Sequence, residues 1–165
     1  MITLEEKRAL ANKAARYWSK YLTQPPSGVE QVQDNMKDDS GNGPMLSFLV
    51  NGVQEAVKKS GVVTPEKIER FVEVLTDYIL NGCPCTDYKG QPMRLPGIVD
   101  YEQGRLTLGC DYGPGGYLGD ALREVFPTGD VGRLMPWKTW VYVDVTANEV
   151  ICSEGYGGER KAVEG

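Results

Sequence analysis

Glycine is distributed unevenly along this chain of 165 residues, because 15 of its 20 glycines fall in residues 82–165. A segment with few glycines can sustain long helices, whereas frequent glycines are typical of short strands joined by turns. We therefore predict an α+β fold, in which a helical half of about four helices (residues 1–82) packs against a β-rich half (residues 83–165) with an antiparallel sheet and one short helix. The length suits one domain over residues 1–165.

Capping boxes predict where the first two helices begin. Thr3 and Glu6 have the spacing at which a hydroxyl and a carboxylate satisfy each other's backbone amides, so the first helix begins there and ends before Pro25. Ser27 and Glu30 predict a second, shorter helix in the same way. Apolar residues at helical spacing give the first helix a face to bury: Leu4, Ala11, Ala14, Trp18 and Leu22.

Two further helices complete the first half. An apolar stripe from Leu46 to Val57 predicts the third helix. Thr64 and Pro65 then provide an N-cap and a proline at the first helical position, so the fourth helix starts there and ends at Gly82.

Two hairpins are expected in the second half. In the first, strands over residues 98–101 and 105–110 flank a short connection that ends in Gly104. In the second, side chains alternate in character over residues 137–145, and the chain turns back into residues 149–153.

The remaining segments of the second half are a helix and a tail. The apolar spacing from Tyr117 to Phe126 predicts the short helix between the hairpins. Residues 155–165 are expected to be frayed, as chain ends often are.

The second hairpin carries the predicted binding surface. Alternation places Trp140, Tyr142 and Asp144 on one strand face and valines on the other. If the valines pack against the helices, the opposite face exposes aromatic rings beside a carboxylate, a composition typical of the centre of a protein interface. The alternative is that both faces are covered and the rings belong to the core. The predicted partner-binding residues are Trp137, Trp140, Tyr142, Asp144 and Tyr156.

Four cysteines form a candidate metal site. If the hairpins pack beside the end of the fourth helix, the four thiols converge and form a tetrahedral zinc site. The spacing argues against zinc, because one Cys-x-Cys pair is followed by two isolated cysteines, and reduced, buried thiols are the competing interpretation. The residues concerned are Cys83, Cys85, Cys110 and Cys152.

A small enzyme or an anion-binding protein is the alternative to a binding protein. Cys110 and Asp111 precede a glycine-rich turn, Gly113–Gly119, whose backbone amides would hold a phosphate at the start of the short helix. Pro114 removes one of those amides, and no histidine is present to activate the thiol. The anion-binding residues of this alternative are Gly113, Gly115 and Gly116.

Charge and composition restrict the class of partner. The net charge is −5, with 23 acidic against 18 basic side chains, which disfavours binding to the phosphate backbone of nucleic acid. The acidic surplus favours a partner protein with a basic surface. The absence of histidine removes the commonest general base and metal ligand. No apolar run is long enough for a membrane span, and the charged N-terminus does not resemble a targeting signal, so we expect a cytoplasmic protein.

These features together predict a non-enzymatic, acidic binding protein. Its profile is that of an inhibitor or immunity-type protein, of the kind found in toxin–immunity pairs or in phage counter-defence, which occupies the surface of another protein. A structural subunit of a larger assembly is a second alternative, in which the aromatic face contacts an identical copy.

Overall fold

The computed structural model describes residues 1–26, 43–87, 89–128 and 130–164. Within them a group of helices packs together with a four-stranded antiparallel sheet, which confirms the predicted α+β class. The predicted second helix start, at Ser27 and Glu30, lies outside the described residues. Among the helices that are described, none combines the length and the apolar character that crossing a bilayer requires.

Helix α1 spans Leu4–Ser19 and begins where the capping box predicts. The Glu6 amide donates to the Thr3 hydroxyl at 3.1 Å, and the Thr3 amide donates to the Glu6 carboxylate at 2.6 Å. A 3₁₀ turn, Lys20–Leu22, continues the helix. The apolar side chains that α1 and this turn bury are Leu10, Ala11, Ala14, Ala15, Tyr17, Trp18, Tyr21 and Leu22.

Helices α2 and α3 confirm the next two predictions. Helix α2 spans Gly43–Lys59, and α3 spans Pro65–Asn81. The Lys67 amide donates to the Thr64 hydroxyl at 3.2 Å, which caps the start of α3. Gly82 ends α3 with a φ of +105°, a conformation that a side chain would make costly.

The β-rich half contains two antiparallel sheets. A small hairpin pairs β1 (Cys83–Thr86) with β2 (Pro92–Leu95), and this hairpin was not predicted. The larger sheet has the order β3-β4-β5-β6. Its strands are β3 (Arg105–Cys110), β4 (Thr139–Asp144), β5 (Glu149–Ser153) and β6 (Arg160–Ala162). The predicted hairpin of β4 and β5 is therefore confirmed.

The predicted strand over residues 98–101 is wrong, because the chain forms a 3₁₀ turn there, Ile98–Asp100. The ammonium group of Lys7, a buried residue of α1, donates to the carbonyl oxygens of Val99 at 3.1 Å and Tyr101 at 2.6 Å. These carbonyls are thus satisfied by a side chain and not by a neighbouring strand. Strand β3 pairs with β4 instead, so the first predicted hairpin does not form.

The predicted fraying of residues 155–165 is also wrong over the part that the structure describes, residues 155–164. Strand β6 pairs with β5, with Lys161 opposite Cys152, and the Val163 amide donates to the Val150 carbonyl at 2.8 Å. The hydroxyl of Ser153 donates to the Gly158 carbonyl at 2.9 Å and closes the connecting turn. Unpaired groups along β5 thus acquire partners from the end of the chain.

The remaining helix, α4, spans Gly116–Val125, as predicted. Helix α1 contacts β4 and β5, α4 contacts β3, and α3 packs against both helices. One hydrophobic cluster joins residues of both halves of the chain, among them Trp18, Phe71, Leu75, Leu118, Val141 and Val143. Helices α1 and α4 therefore cover one face of the larger sheet, which we call the inner face.

Candidate functional site

The opposite face of the larger sheet, which we call the outer face, is accessible to solvent. Along β4, Val141 and Val143 are buried, whereas Trp140, Tyr142 and Asp144 are each half-buried. The predicted alternation of β4 is therefore observed, and the described helices do not cover the aromatic side of the strand.

Tyr142 lies at the centre of the outer face between two arginines. The guanidinium carbon of Arg160, from β6, is 4.8 Å from the centroid of the Tyr142 ring, and that of Arg105, from β3, is 5.7 Å away. Both distances fall within the range of cation–π contacts, which hold the ring and the two guanidinium groups in one arrangement. The register explains the stack, since Tyr142 pairs with Thr107 on one side and Ile151 on the other, which brings both edges of the sheet near it.

Trp140 lies over Gly109, its partner in the register of β3 and β4. A Cβ atom at position 109 would overlap with the indole ring, so glycine is required there for the ring to rest against the sheet. The indole therefore rests on the backbone of β3. Aromatic side chains often cover a glycine of the neighbouring strand in this way.

The other two predicted aromatic residues, Trp137 and Tyr156, lie beyond the strands. Strand β4 begins at Thr139, so the predicted alternation from Trp137 is wrong in its first two positions. The reason is a turn at Lys138, whose φ is +52° and whose amide donates to the Asp111 carbonyl at 2.7 Å. Trp137 is therefore placed on the connection into β4 and not on the outer face itself.

A second aromatic cluster forms around Lys138. Its ammonium group is 4.5 Å from the centroid of the Tyr112 ring and 5.9 Å from that of Tyr156, and it forms an ion pair with Asp111. The Tyr112 and Trp137 rings meet edge to face at 5.6 Å. Tyr112 is 59% exposed and Tyr156 is 55% exposed. Trp140 follows Lys138 by two residues in the chain.

Charges on the outer face are mixed. Asp144 pairs in register with Glu149 on β5 and with Arg105 on β3, so two carboxylates lie directly opposite each other. The Asp144 carboxylate accepts a hydrogen bond from the Ala147 amide at 2.9 Å, which stabilises the β4–β5 turn. Like charges in cross-strand positions repel, and a cation from another molecule would relieve that repulsion.

The four cysteines carry free thiols. Cys83, on β1, donates to a carboxylate oxygen of Asp120 at 3.3 Å, whereas Cys110 ends β3 and Cys152 lies on β5. Within the described ranges, no group of three or more cysteine, aspartate or glutamate side chains is arranged to hold a metal ion. The structure therefore does not bring these thiols together as the zinc interpretation requires.

The chemistry of Cys110 bears on the enzymatic alternative. Burial, with a smaller contribution from the negative charge of Asp111, raises the pKa of the Cys110 thiol from 9.0 to about 12. A thiol with this pKa is protonated at neutral pH and is a weak nucleophile. Asp111 in turn is engaged by Lys138.

The turn Gly113–Gly119 leads directly into α4. Gly116 has a φ of +54°, and the Gly119 amide donates to the Gly115 carbonyl at 3.2 Å. A Cβ atom at Gly119 would lie 2.9 Å from the carbonyl oxygen of Pro114, so the turn and the helix are in close contact. Gly113 and Gly115 have open space at the Cβ position. Packing and backbone conformation thus account for Gly116 and Gly119 without a bound anion.

Several residues of the outer face are not apparent from the sequence alone. Arg105, Arg160 and Gly109 acquire their roles through the strand register, which joins positions about 18 to 37 residues apart in the chain. Comparison of the chain with models of protein families, with curated proteins and with solved structures finds no match. We therefore infer a function from the chemistry of this face.

Proposed function

We propose that this protein is a non-enzymatic binding protein that attaches to another protein through the outer face of its larger sheet, as an inhibitor or immunity-type protein does. The single observation that carries the proposal is the partly exposed pair of Trp140 and Tyr142, with Tyr142 held between Arg105 and Arg160. Tryptophan, tyrosine and arginine are the residue types that contribute most of the binding energy in protein interfaces.

The outer face is preorganised for binding. The Trp140 ring rests on Gly109 and the Tyr142 ring is stacked between two guanidinium groups, so these side chains lose little rotamer freedom when a partner covers them. The rings stand on paired strands and not on loops, which fixes their positions relative to each other.

Charge supports a partner with a basic surface. The chain carries a net charge of −5, and residues 83–165 contribute 12 acidic and 8 basic side chains to it. The opposed carboxylates of Asp144 and Glu149 place part of that negative charge at one end of the outer face. The same charge disfavours direct binding to nucleic acid. Four free thiols suit a reducing compartment, and we assign the protein to the cytoplasm.

The proposal is tested by capture of partners from the host. Wild-type protein, the double variant Trp140→Ala/Tyr142→Ala and a control variant are immobilised, and captured proteins are quantified by mass spectrometry. The control is Phe48→Ala, because Phe48 is an aromatic residue of α2 that is 75% exposed and lies outside the sheet. The partner is then purified, and its affinity for each variant is measured by isothermal titration calorimetry.

The expected result is a loss of affinity of roughly tenfold or more in the double variant, as for the removal of two hot-spot side chains, with the control unchanged. Full affinity in a folded double variant would overturn the proposal. Light scattering tests the alternative of a structural subunit. Self-association that the double variant abolishes would mean that an identical copy covers the outer face.

A further inference from the structure

A groove lies between helix α1 and strand β6, on the inner side of the sheet and away from the outer face. Its volume is about 930 Å³. One wall is formed by α1 and the start of the 3₁₀ turn, from Ala9 to Lys20, and the other by residues 161–164 together with Cys152 and Glu154. The groove thus follows the edge of the sheet, where β6 has β5 as its only strand partner among the described residues.

The groove is basic although the protein is acidic. Its cations come from both walls and outnumber its two carboxylates, Glu154 and Glu164. Glu154 is already neutralised, because its carboxylate lies 3.3 Å from the Lys161 ammonium and 3.8 Å from that of Lys20 and accepts a hydrogen bond from the Tyr17 hydroxyl at 2.9 Å. The cations that line the groove are Lys13, Arg16, Lys20 and Lys161.

Three cations of this wall differ in whether they already form an ion pair. Lys20 pairs with Glu154, and Arg16 forms a two-pronged ion pair with Glu69 at 3.1 Å, whereas Lys13 has no ion pair within the described part of the chain. Lys13 is half-buried in the groove wall. An ammonium group in that position is available to a negatively charged ligand.

The backbone of β6 presents hydrogen-bonding groups to the groove edge. The Val163 amide donates to the Val150 carbonyl at 2.8 Å. Because amides of an antiparallel strand point alternately to its two sides, the amides of Arg160 and Ala162 point away from β5. An unpaired strand edge with outward amides is the surface to which an additional strand attaches.

The two walls match in length. Lys13 and Lys20 are seven positions apart along α1 and the turn that follows it, which corresponds to about 10 Å, and the chain from Arg160 to Val163 extends over about the same distance. A compact anion such as phosphate spans only part of this length, whereas an extended chain with acidic side chains on alternate residues meets the lysines and the strand edge together.

We propose that this groove binds an extended acidic segment of a protein, which adds to the sheet as a strand next to β6 and directs its carboxylates toward Lys13 and Lys161. This second binding site does not depend on the outer face.

The test uses a fluorescent peptide of about seven residues in which glutamate alternates with threonine, a pattern suited to one face of a strand. Binding is measured by fluorescence anisotropy, with a peptide in which glutamine replaces glutamate as the charge control. We expect the glutamate peptide to bind in the micromolar range and the glutamine peptide to bind roughly tenfold more weakly or not at all. Failure of the glutamate peptide to bind at millimolar concentration would overturn the proposal.

Ala162→Pro separates strand addition from simple charge attraction. Proline at position 162 removes an outward amide without removing a bond to β5, and exposed edges tolerate it. We expect roughly tenfold weaker peptide binding in this variant, from the lost hydrogen bond and the steric block, and unchanged binding in the matched control Ala162→Val. Circular dichroism and thermal unfolding confirm that both variants are folded.

Three further outcomes decide the assignment. Loss of binding in Lys13→Glu/Lys161→Glu supports the proposed charge contacts, whereas full binding in this variant overturns them. Equal peptide binding by Ala162→Pro and wild type would overturn strand addition. Complete displacement of the peptide by inorganic phosphate at the same concentration as the peptide would also overturn it, because the groove would then be a simple anion site. Retention of peptide binding in Tyr142→Ala supports a site separate from the outer face, whereas its loss contradicts that separation.

Discussion

The inner and outer faces of strand β4 differ in what their side chains contact. Val141 and Val143 point into the core and touch the helices, whereas Trp140 and Tyr142 contact the neighbouring strands and the solvent. One strand of six residues thus contributes to the core with one half of its side chains and leaves the other half partly exposed to solvent. The comparison implies that substitutions on the two faces have separable effects on stability and on binding.

The largest difference is expected between matched charge substitutions at adjacent positions. Val143→Asp places a carboxylate in the core and is predicted to lower the free energy of unfolding by about 3 kcal/mol or more. Tyr142→Asp leaves its carboxylate in contact with solvent and two arginines, and is predicted to cost about 1 kcal/mol. Urea unfolding of both variants measures the difference. Equal costs would mean that the outer face is as covered as the inner one.

The reactivity of the cysteine thiols reports which of them are buried. Cys110 is buried on the inner face, whereas Cys85 on β1 is partly exposed, so iodoacetamide is expected to modify Cys85 first in folded protein, with mass spectrometry as the readout. Rapid modification of Cys110 near neutral pH would contradict this placement and would favour the enzymatic alternative.

The same thiol contributes to a loss of stability in alkali. Because the folded-state pKa of Cys110 is raised from 9.0 to about 12 by burial, its contribution to stability is complete below pH 9 and is lost as the pH rises toward 12. Cys110→Ala is therefore expected to show a smaller decrease in stability between these pH values than wild type, measured by urea unfolding. An identical decrease in the two proteins would show that Cys110 is not protected from solvent.

Gly109→Val tests the support beneath Trp140. The new side chain would displace the indole, at a predicted cost of about 1 to 3 kcal/mol in the free energy of unfolding, with a change in tryptophan fluorescence. Thr107→Val is the control, because Thr107 is an exposed residue of the same strand and the same face, and it is predicted to change stability by less than about 0.5 kcal/mol. Unchanged fluorescence in Gly109→Val would show that the indole does not rest on the glycine.

The smallest effects are expected for the two arginines beside Tyr142. Arg105→Ala and Arg160→Ala are each predicted to lower the free energy of unfolding by about 0.5 to 1 kcal/mol, the range of exposed cation–π contacts. A double-mutant cycle with Tyr142→Ala measures the coupling directly. A coupling energy of zero between Tyr142 and both arginines would show that the cation–π contacts do not hold the Tyr142 ring in place.

The sequence predicts elements whose signals are local. The cap at Thr64 and Pro65 predicts the start of α3, and the alternation through Val141 and Val143 predicts β4 and its two faces. In contrast, the turn at residues 98–100 depends on a lysine more than 90 positions earlier in the chain, which no local pattern encodes.

The sequence predicts the aromatic residues of the candidate site but not the residues that contact them. Trp140 and Tyr142 follow from the period of a strand, but the guanidinium groups beside Tyr142 follow from strand register, which one sequence does not specify. The predicted role of Trp137 in β4 fails because Lys138 adopts a positive φ, a conformation that lysine seldom adopts and that therefore has no recognisable sequence signal.

The most direct test of the central claim is a map of the partner's contact surface by NMR. The protein is labelled with ¹⁵N, its backbone and indole signals are assigned, and the purified partner is added in steps. We expect the signals that shift or broaden first to be those of the Trp140 indole and of outer-face residues such as Thr107, Tyr142 and Ile151. Perturbations confined to the exposed residues of α2, with the β4 signals unchanged, would contradict it.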